Sequence, residues 1–269
     1  MRLRLRREQG GSSTAQRVAA VRAKFDRPVT PDGDPNAQRR LARGMKPGEA
    51  VRLRPHLLAR TTFFDQAALD AIARGVDQVV IVGAGYDDRA LRFRSPGVRF
   101  FELDHPDTQV DKGRRLEAIG VDAGRPTLVP VDFAHDSVPA RLAVAGHADR
   151  RPTLFICEGV LVYLGLTEIV ELLSGLAARS ARGSMLAASL AVHPFGIASD
   201  AVVDAANVAR GGGPAEGEPW RTILPAEAHL SLLRQAGWMP ETVLDDSDLL
   251  PDATPGRSLL VRARPGAAA

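Results

Sequence analysis

Past residue 75, short runs of Val, Ile, Phe and Leu alternate with longer amphipathic stretches, and this rhythm predicts a parallel sheet covered by helices. Strands are expected over 78–82, 99–103, 127–131, 153–157 and 185–190, with helices over 88–93, 106–119, 138–144 and 167–178 between them. From about 193 to 222 the rhythm breaks. One helical run (198–209) and the glycine-rich GGGPAEGEP read as an insertion over the sheet edge, where a substrate would sit. A helix over 225–236 stops at Gly237, and strand-like pieces at 241–244 and 257–264 follow. Earlier in the chain, residues 14–25 put Val18, Val21 and Phe25 on one side of a helix, which the three prolines of RPVTPDGDP end. A second helical stretch over 47–74 carries Leu57, Leu58, Phe63, Phe64, Leu69 and Ile72, with Asp65 or Asp70 on its solvent side. The expected organisation is a tail and helical cap over 1–75, then one α/β domain over 76–269.

Composition narrows the function classes. With 45% apolar residues in 269, the chain can bury a core. Its lone cysteine, Cys157, excludes an intramolecular disulfide and a cysteine-built zinc site, and no histidine spacing suggests another metal. No apolar run reaches the ~20 residues of a membrane helix, and MRLRLRR has no apolar segment behind its arginines. A soluble, cytoplasmic protein with no membrane partner is expected. The net charge is +3, but Arg2, Arg4, Arg6 and Arg7 supply four positive charges, leaving 31 basic against 32 acidic residues. That balance argues against a nucleic-acid-binding body. Oligomeric state is not legible.

In an open parallel sheet, ligands bind at the carboxyl ends of the strands. The first strand is followed by VGAGYDDR, where Gly83 and Gly85 permit a sharp turn and close approach to a ligand. The third glycine of a dinucleotide fingerprint is replaced by Asp88. Asp87 and Asp88 suit a helix N-terminus but would repel a pyrophosphate, which favours a ligand with positive charge and no phosphate. S-adenosylmethionine, with its sulfonium and ammonium, meets both conditions. In FELDHP, Asp104 lies 21 positions beyond Gly83, the place of an acid that accepts ribose hydroxyls. Glu102, two residues earlier on the same face, is the substitute, and helix capping is the purely structural alternative. In VPVDFAHD, Asp132 can take an adenine amino group and Phe133 can cover the ring. Glu158, in LFICEGVLVYL, follows a buried-type strand and needs a cationic partner, which a ligand ammonium would supply.

The set ARTTFFD around Arg60, VGAGYDDRALRF, FELDHP, VDF and EGVLVYL, in order across about residues 50–190, resembles the leucine carboxyl methyltransferase family and its bacterial small-molecule O-methyltransferase branch. The resemblance implies a class I methyltransferase-like, doubly wound, mostly parallel sheet with helices on both faces and an N-terminal helical cap. It also implies that Arg60 pairs with the cofactor carboxylate, Gly83 contacts its amino-acid part, Asp104 binds ribose, Asp132 and Phe133 hold adenine and Glu158 takes the ammonium. The family's basic residue on the first helix has no clear match; Gln16 or Arg17 falls near it. The reaction implied is methyl transfer to a carboxylate or hydroxyl oxygen of a small molecule. His193 is the candidate base, and Tyr163, Trp220 and Arg221 are candidates for the acceptor pocket. Two alternatives stand beside this. An NAD(P)-dependent reductase would need the third glycine and a Tyr-x-x-x-Lys pair that this sequence lacks; a non-catalytic adenosylmethionine-binding protein is the other.

Overall fold

A computed structural model describes residues 11–121, 124–192, 219–249 and 258–266. His193, the expected helix over 198–209, the stretch GGGPAEGE and the tail arginines Arg2, Arg4, Arg6 and Arg7 lie outside them. The strands are β1 (Gln78–Val82), β2 (Arg99–Asp104), β3 (Thr127–Pro130), β4 (Thr153–Cys157), β5 (Met185–Ala191), β6 (Trp238–Asp245) and β7 (Ser258–Pro265). They form one sheet in the order β3-β2-β1-β4-β5-β7-β6. The first five strands are parallel, while β7 runs antiparallel to β5 and β6 antiparallel to β7. Strand order therefore reverses between β1 and β4, so their carboxyl ends flank the crevice where such sheets bind ligands.

Both faces of the sheet are covered, which is why β1 and β4 read as unbroken apolar runs. Val80, Val82, Phe155 and Cys157 point to one core, shared with α6 (Val138–Val144), α7 (Leu166–Ala178) and α8 (Ala226–Gln235). Val79, Ile81, Leu154 and Ile156 point to the other, filled by Phe63, Phe64, Ala67, Ala68 and Ala71 of α3 (Arg54–Ala73). The long N-terminal helix is thus a layer of the α/β body rather than part of a cap ending near residue 75. Its Asp65, expected on the solvent side, is 2% exposed, because the helix surface turned from the sheet meets other parts of the chain.

The remaining helices are α1 (Ser13–Arg22), α2 (Ala37–Leu41), α4 (Arg89–Arg92), α5 (Pro106–Ala118) and α9 (Asp246–Leu249). The pattern reading missed α2, whose Gln38 is buried and donates to the Tyr86 carbonyl at 3.0 Å. β6 begins at Trp238, three residues before the expected start. Pro240 hid this, since it cannot donate to a ladder, and the register shifts between Pro240 and Thr242. Among the described residues, no helix is long and apolar enough to cross a membrane.

Candidate functional site

The turn after β1 depends on its glycines. Gly83 and Gly85 have φ of +67° and +50°, in the left-handed region. A Cβ on Gly83 would lie 2.7 Å from the Val160 side chain, and one on Gly85 would lie 2.8 Å from Ala15 of α1. Backbone bonds close the turn: Ala84 N–H donates to Leu103 at 2.9 Å and Asp87 N–H to Ala84 at 2.8 Å. Gly83→Ala is expected to cost about 2–5 kcal/mol, combining left-handed strain with overpacking. Denaturant unfolding measures this; a loss below ~1 kcal/mol would show that Val160 can move aside.

At the end of β4, Glu158 is enclosed by arginines. Its Oε2 accepts from Arg22 at 2.5 Å and from Arg89 at 2.8 Å, and its Oε1 accepts from Arg60 Nε at 3.1 Å. Desolvation alone would raise this carboxyl, but Arg22, Arg89 and Arg60 outweigh it and hold it well below the usual carboxylate range. Around this centre, Asp87 accepts from the Arg89 side chain at 2.5 Å, Asp65 from Arg27 and Arg89, and Asp88 from Arg27 at 2.6 Å and Arg92 at 2.7 Å. The cluster holds five guanidiniums (Arg22, Arg27, Arg60, Arg89, Arg92) against four carboxylates (Asp65, Asp87, Asp88, Glu158).

Two expectations change here. Asp87 and Asp88 are 3% and 0% exposed and fully engaged by arginines, so they present no free negative charge to repel a pyrophosphate. The cationic partners that Glu158 required come first from the chain itself. Arg22 was missed: Gln16 instead bonds the Gly11 carbonyl and Arg17 is exposed. The available signal was spacing, because Arg22 stands four residues after Val18 and three before Phe25, on the side of α1 that was expected to be apolar.

Asp104 sits at the end of β2, as the sequence placed it. Its Oδ2 accepts the Gly85 N–H at 2.6 Å and its Oδ1 the His105 N–H at 2.7 Å. Glu102 does not share this rim. It is 0% exposed beneath α5, 2.5 Å from Lys112, and burial pushes its carboxyl up to about 7. At the end of β3, Asp132 accepts from Ala134 N–H at 3.0 Å, pairs with His135 at 3.0 Å and remains 42% exposed, while Phe133 packs half-buried against the core. Asp104 and Asp132 therefore stand at the carboxyl ends of neighbouring strands.

On the β4 side, Tyr163 is half-buried in a short 3-10 turn, Leu161–Tyr163. The backbone N–H groups of Arg221 and Thr222 both donate to the Val162 carbonyl, which brings half-buried Trp220 and its neighbours to this loop. The Arg221 guanidinium pairs with Glu168 at 2.8 Å. No His, Cys, Asp or Glu grouping that could hold a metal is found among the described residues.

The family model for leucine carboxyl methyltransferase matches residues 14–177, and the chain belongs to that family. A protein of Mycolicibacterium gilvum, provisionally named as an S-adenosyl-L-methionine-dependent methyltransferase, is 39% identical over 166 residues, covering 61% of this chain and 50% of that protein. The chain spans about half the length of the curated relatives it matches. Two solved structures share the fold over 96% of this chain. A DUF574 family protein from Streptomyces avermitilis has TM-score 0.60 at 17% identity, covered in full. A protein from Thermobifida fusca, provisionally named a methyltransferase, has TM-score 0.59 at 18% identity and is 96% covered. With the observed strand order, these define the class I methyltransferase fold.

The cofactor assigned by family membership is S-adenosylmethionine, and the residues fit it. A buried cluster with one guanidinium in excess suits a ligand carboxylate. Arg60 is the most open of the three arginines on Glu158, at 14% side-chain exposure. It lies under Gly159, where a Cβ would come within 3.1 Å of its guanidinium.

Proposed function

We propose that the protein is an S-adenosylmethionine-dependent O-methyltransferase that acts on a carboxylate or hydroxyl of a small molecule. The observation that carries this reading is the arginine-ringed Glu158 at the β1/β4 switch point, with Asp104 at the neighbouring strand end. When bound, S-adenosylmethionine supplies a methyl group on a positively charged sulfur. Arg60, with Arg22 behind it, would hold the cofactor carboxylate, and Glu158 the ammonium. Gly83 would allow close approach of the amino-acid part, with Gly85 completing the turn; Asp104 would accept the ribose hydroxyls, and Asp132 and Phe133 would hold the adenine. In-line displacement asks of the protein mainly proximity and orientation, which strand-end residues on a rigid sheet provide.

Tyr163, Trp220 and Arg221 are the proposed acceptor-side residues. A small-molecule acceptor is favoured over a protein, since residues 8–269 sum close to charge balance. A carboxylate is already a nucleophile and needs no base; a phenol or alcohol would need one, and His193 is proposed for it.

Calorimetry is expected to show binding of adenosylhomocysteine and none of NADP. Tight NADP binding without adenosylhomocysteine binding would overturn the reading in favour of a reductase. For the acceptor, the methylated product is expected to release methanol in mild alkali, as an ester does. An alkali-stable product together with an inactive His193→Ala variant would replace the carboxylate by a hydroxyl.

A further inference from the structure

A buried lysine must be partnered, and Lys112 of α5 has two partners of different kinds. Its Nζ lies 2.5 Å from Glu102 Oε2 and donates to the Asp87 main-chain carbonyl at 2.8 Å. Lys112 and Glu102 are 1% and 0% exposed, so neither reaches a ligand directly. Gln109, three residues earlier on the same face of α5, donates to the Glu102 carbonyl at 3.0 Å, which locks this helix face onto β2. What Lys112 grips is the end of the glycine turn. The carboxylate of the same Asp87 takes Arg89 at 2.5 Å and faces Arg22 at 3.5 Å, and those two arginines hold Glu158. On its other side, the turn is tied by Asp104 to the Gly85 N–H.

We propose that Lys112 is a positioning residue for the cofactor site: it fixes the Asp87 carbonyl, and through Asp87 the arginines around Glu158, while Glu102 serves as its buried counter-charge. This rests on the cofactor reading above. An ion pair that only anchored α5 to β2 would leave ligand affinity unchanged in the folded protein.

The test uses the full chain, with adenosylhomocysteine as the probe. The double variant Lys112→Met with Glu102→Gln removes both charges together and avoids leaving a lone buried ion. Its dissociation constant is expected to rise about tenfold or more, the loss of one charge-assisted contact acting on the site. Amide exchange over residues 84–89 is expected to quicken while that of β4 stays as in the parent. Glu102→Gln alone would strip the buried Lys112 of its counter-charge, so the second variant, used if the methionine form does not fold, is Lys112→Gln with Glu102→Gln, for which the same rise in dissociation constant is expected. A folded double variant of either kind that binds within about twofold of the parent would overturn the role given to Lys112. A parent that binds no adenosylhomocysteine would overturn the cofactor reading beneath it.

Discussion

Glu158→Gln is expected to destabilise the protein and to weaken cofactor binding together. The substitution keeps the shape but leaves Arg22, Arg60 and Arg89 around a neutral amide. Breaking a buried pair in this way costs about 3–5 kcal/mol, which for a domain of this size lowers the melting temperature by roughly 6–20 °C. Adenosylhomocysteine affinity should fall at least ~100-fold, because the proposed acceptor of the ammonium is lost and the arginines lose their arrangement. Thermal unfolding and calorimetry measure both effects. Parent-like values in the two would show that the arginine ring does not depend on this carboxylate.

The same residue governs the acid side of stability. Glu158 and Asp88 have carboxyls held well below their ordinary values: desolvation opposes ionisation, but the neighbouring arginines outweigh it. Such groups contribute stability that is present above the ordinary carboxylate value of about 4 and is lost as pH falls toward the depressed folded value. The parent should therefore lose melting temperature steeply below about pH 4. Glu158→Gln should start lower and fall less steeply.

What the sequence disclosed follows from which interactions are local. β1, β4 and α6 have the expected bounds because each is a compact apolar stretch between turn-forming residues. The strand-end positions of Gly83, Asp104, Asp132 and Glu158 were legible because parallel-sheet topology makes those positions predictable. The ion-pair cluster was not. Arg22 and Glu158 are 136 residues apart, and Arg27 and Asp88 are 61 apart, so no local pattern joins them. Asp65 was assigned to water because helical periodicity separates an apolar face from a polar one but cannot say whether the polar face meets solvent or a buried arginine. Glu102 was left level with Asp104 for a similar reason: alternation gives the face of a strand, not the depth at which a helix seals it.

Asp104→Asn is expected to weaken adenosylhomocysteine binding ~10- to 150-fold, the contribution of the charge-assisted bond proposed to ribose. From sequence, the substitution would be nearly silent for folding, since it conserves shape. The structure changes that expectation. The two carboxylate oxygens accept two main-chain donors, Gly85 N–H and His105 N–H. Asparagine offers one acceptor oxygen and one donating NH2, so in either orientation one backbone N–H faces another donor. A local cost of about 1–3 kcal/mol should accompany the affinity loss. If Gly85 is the donor left unpaired, the glycine turn itself loosens. Amide exchange at residue 85 separates the two contributions: quickened exchange without ligand reports the turn, and any affinity loss beyond it reports the ribose contact. If Asp104→Asn bound as tightly as the parent while Glu102→Gln did not, the ribose acid would lie one pleat deeper, and the sealed position of Glu102 beside Lys112 would have to open on binding.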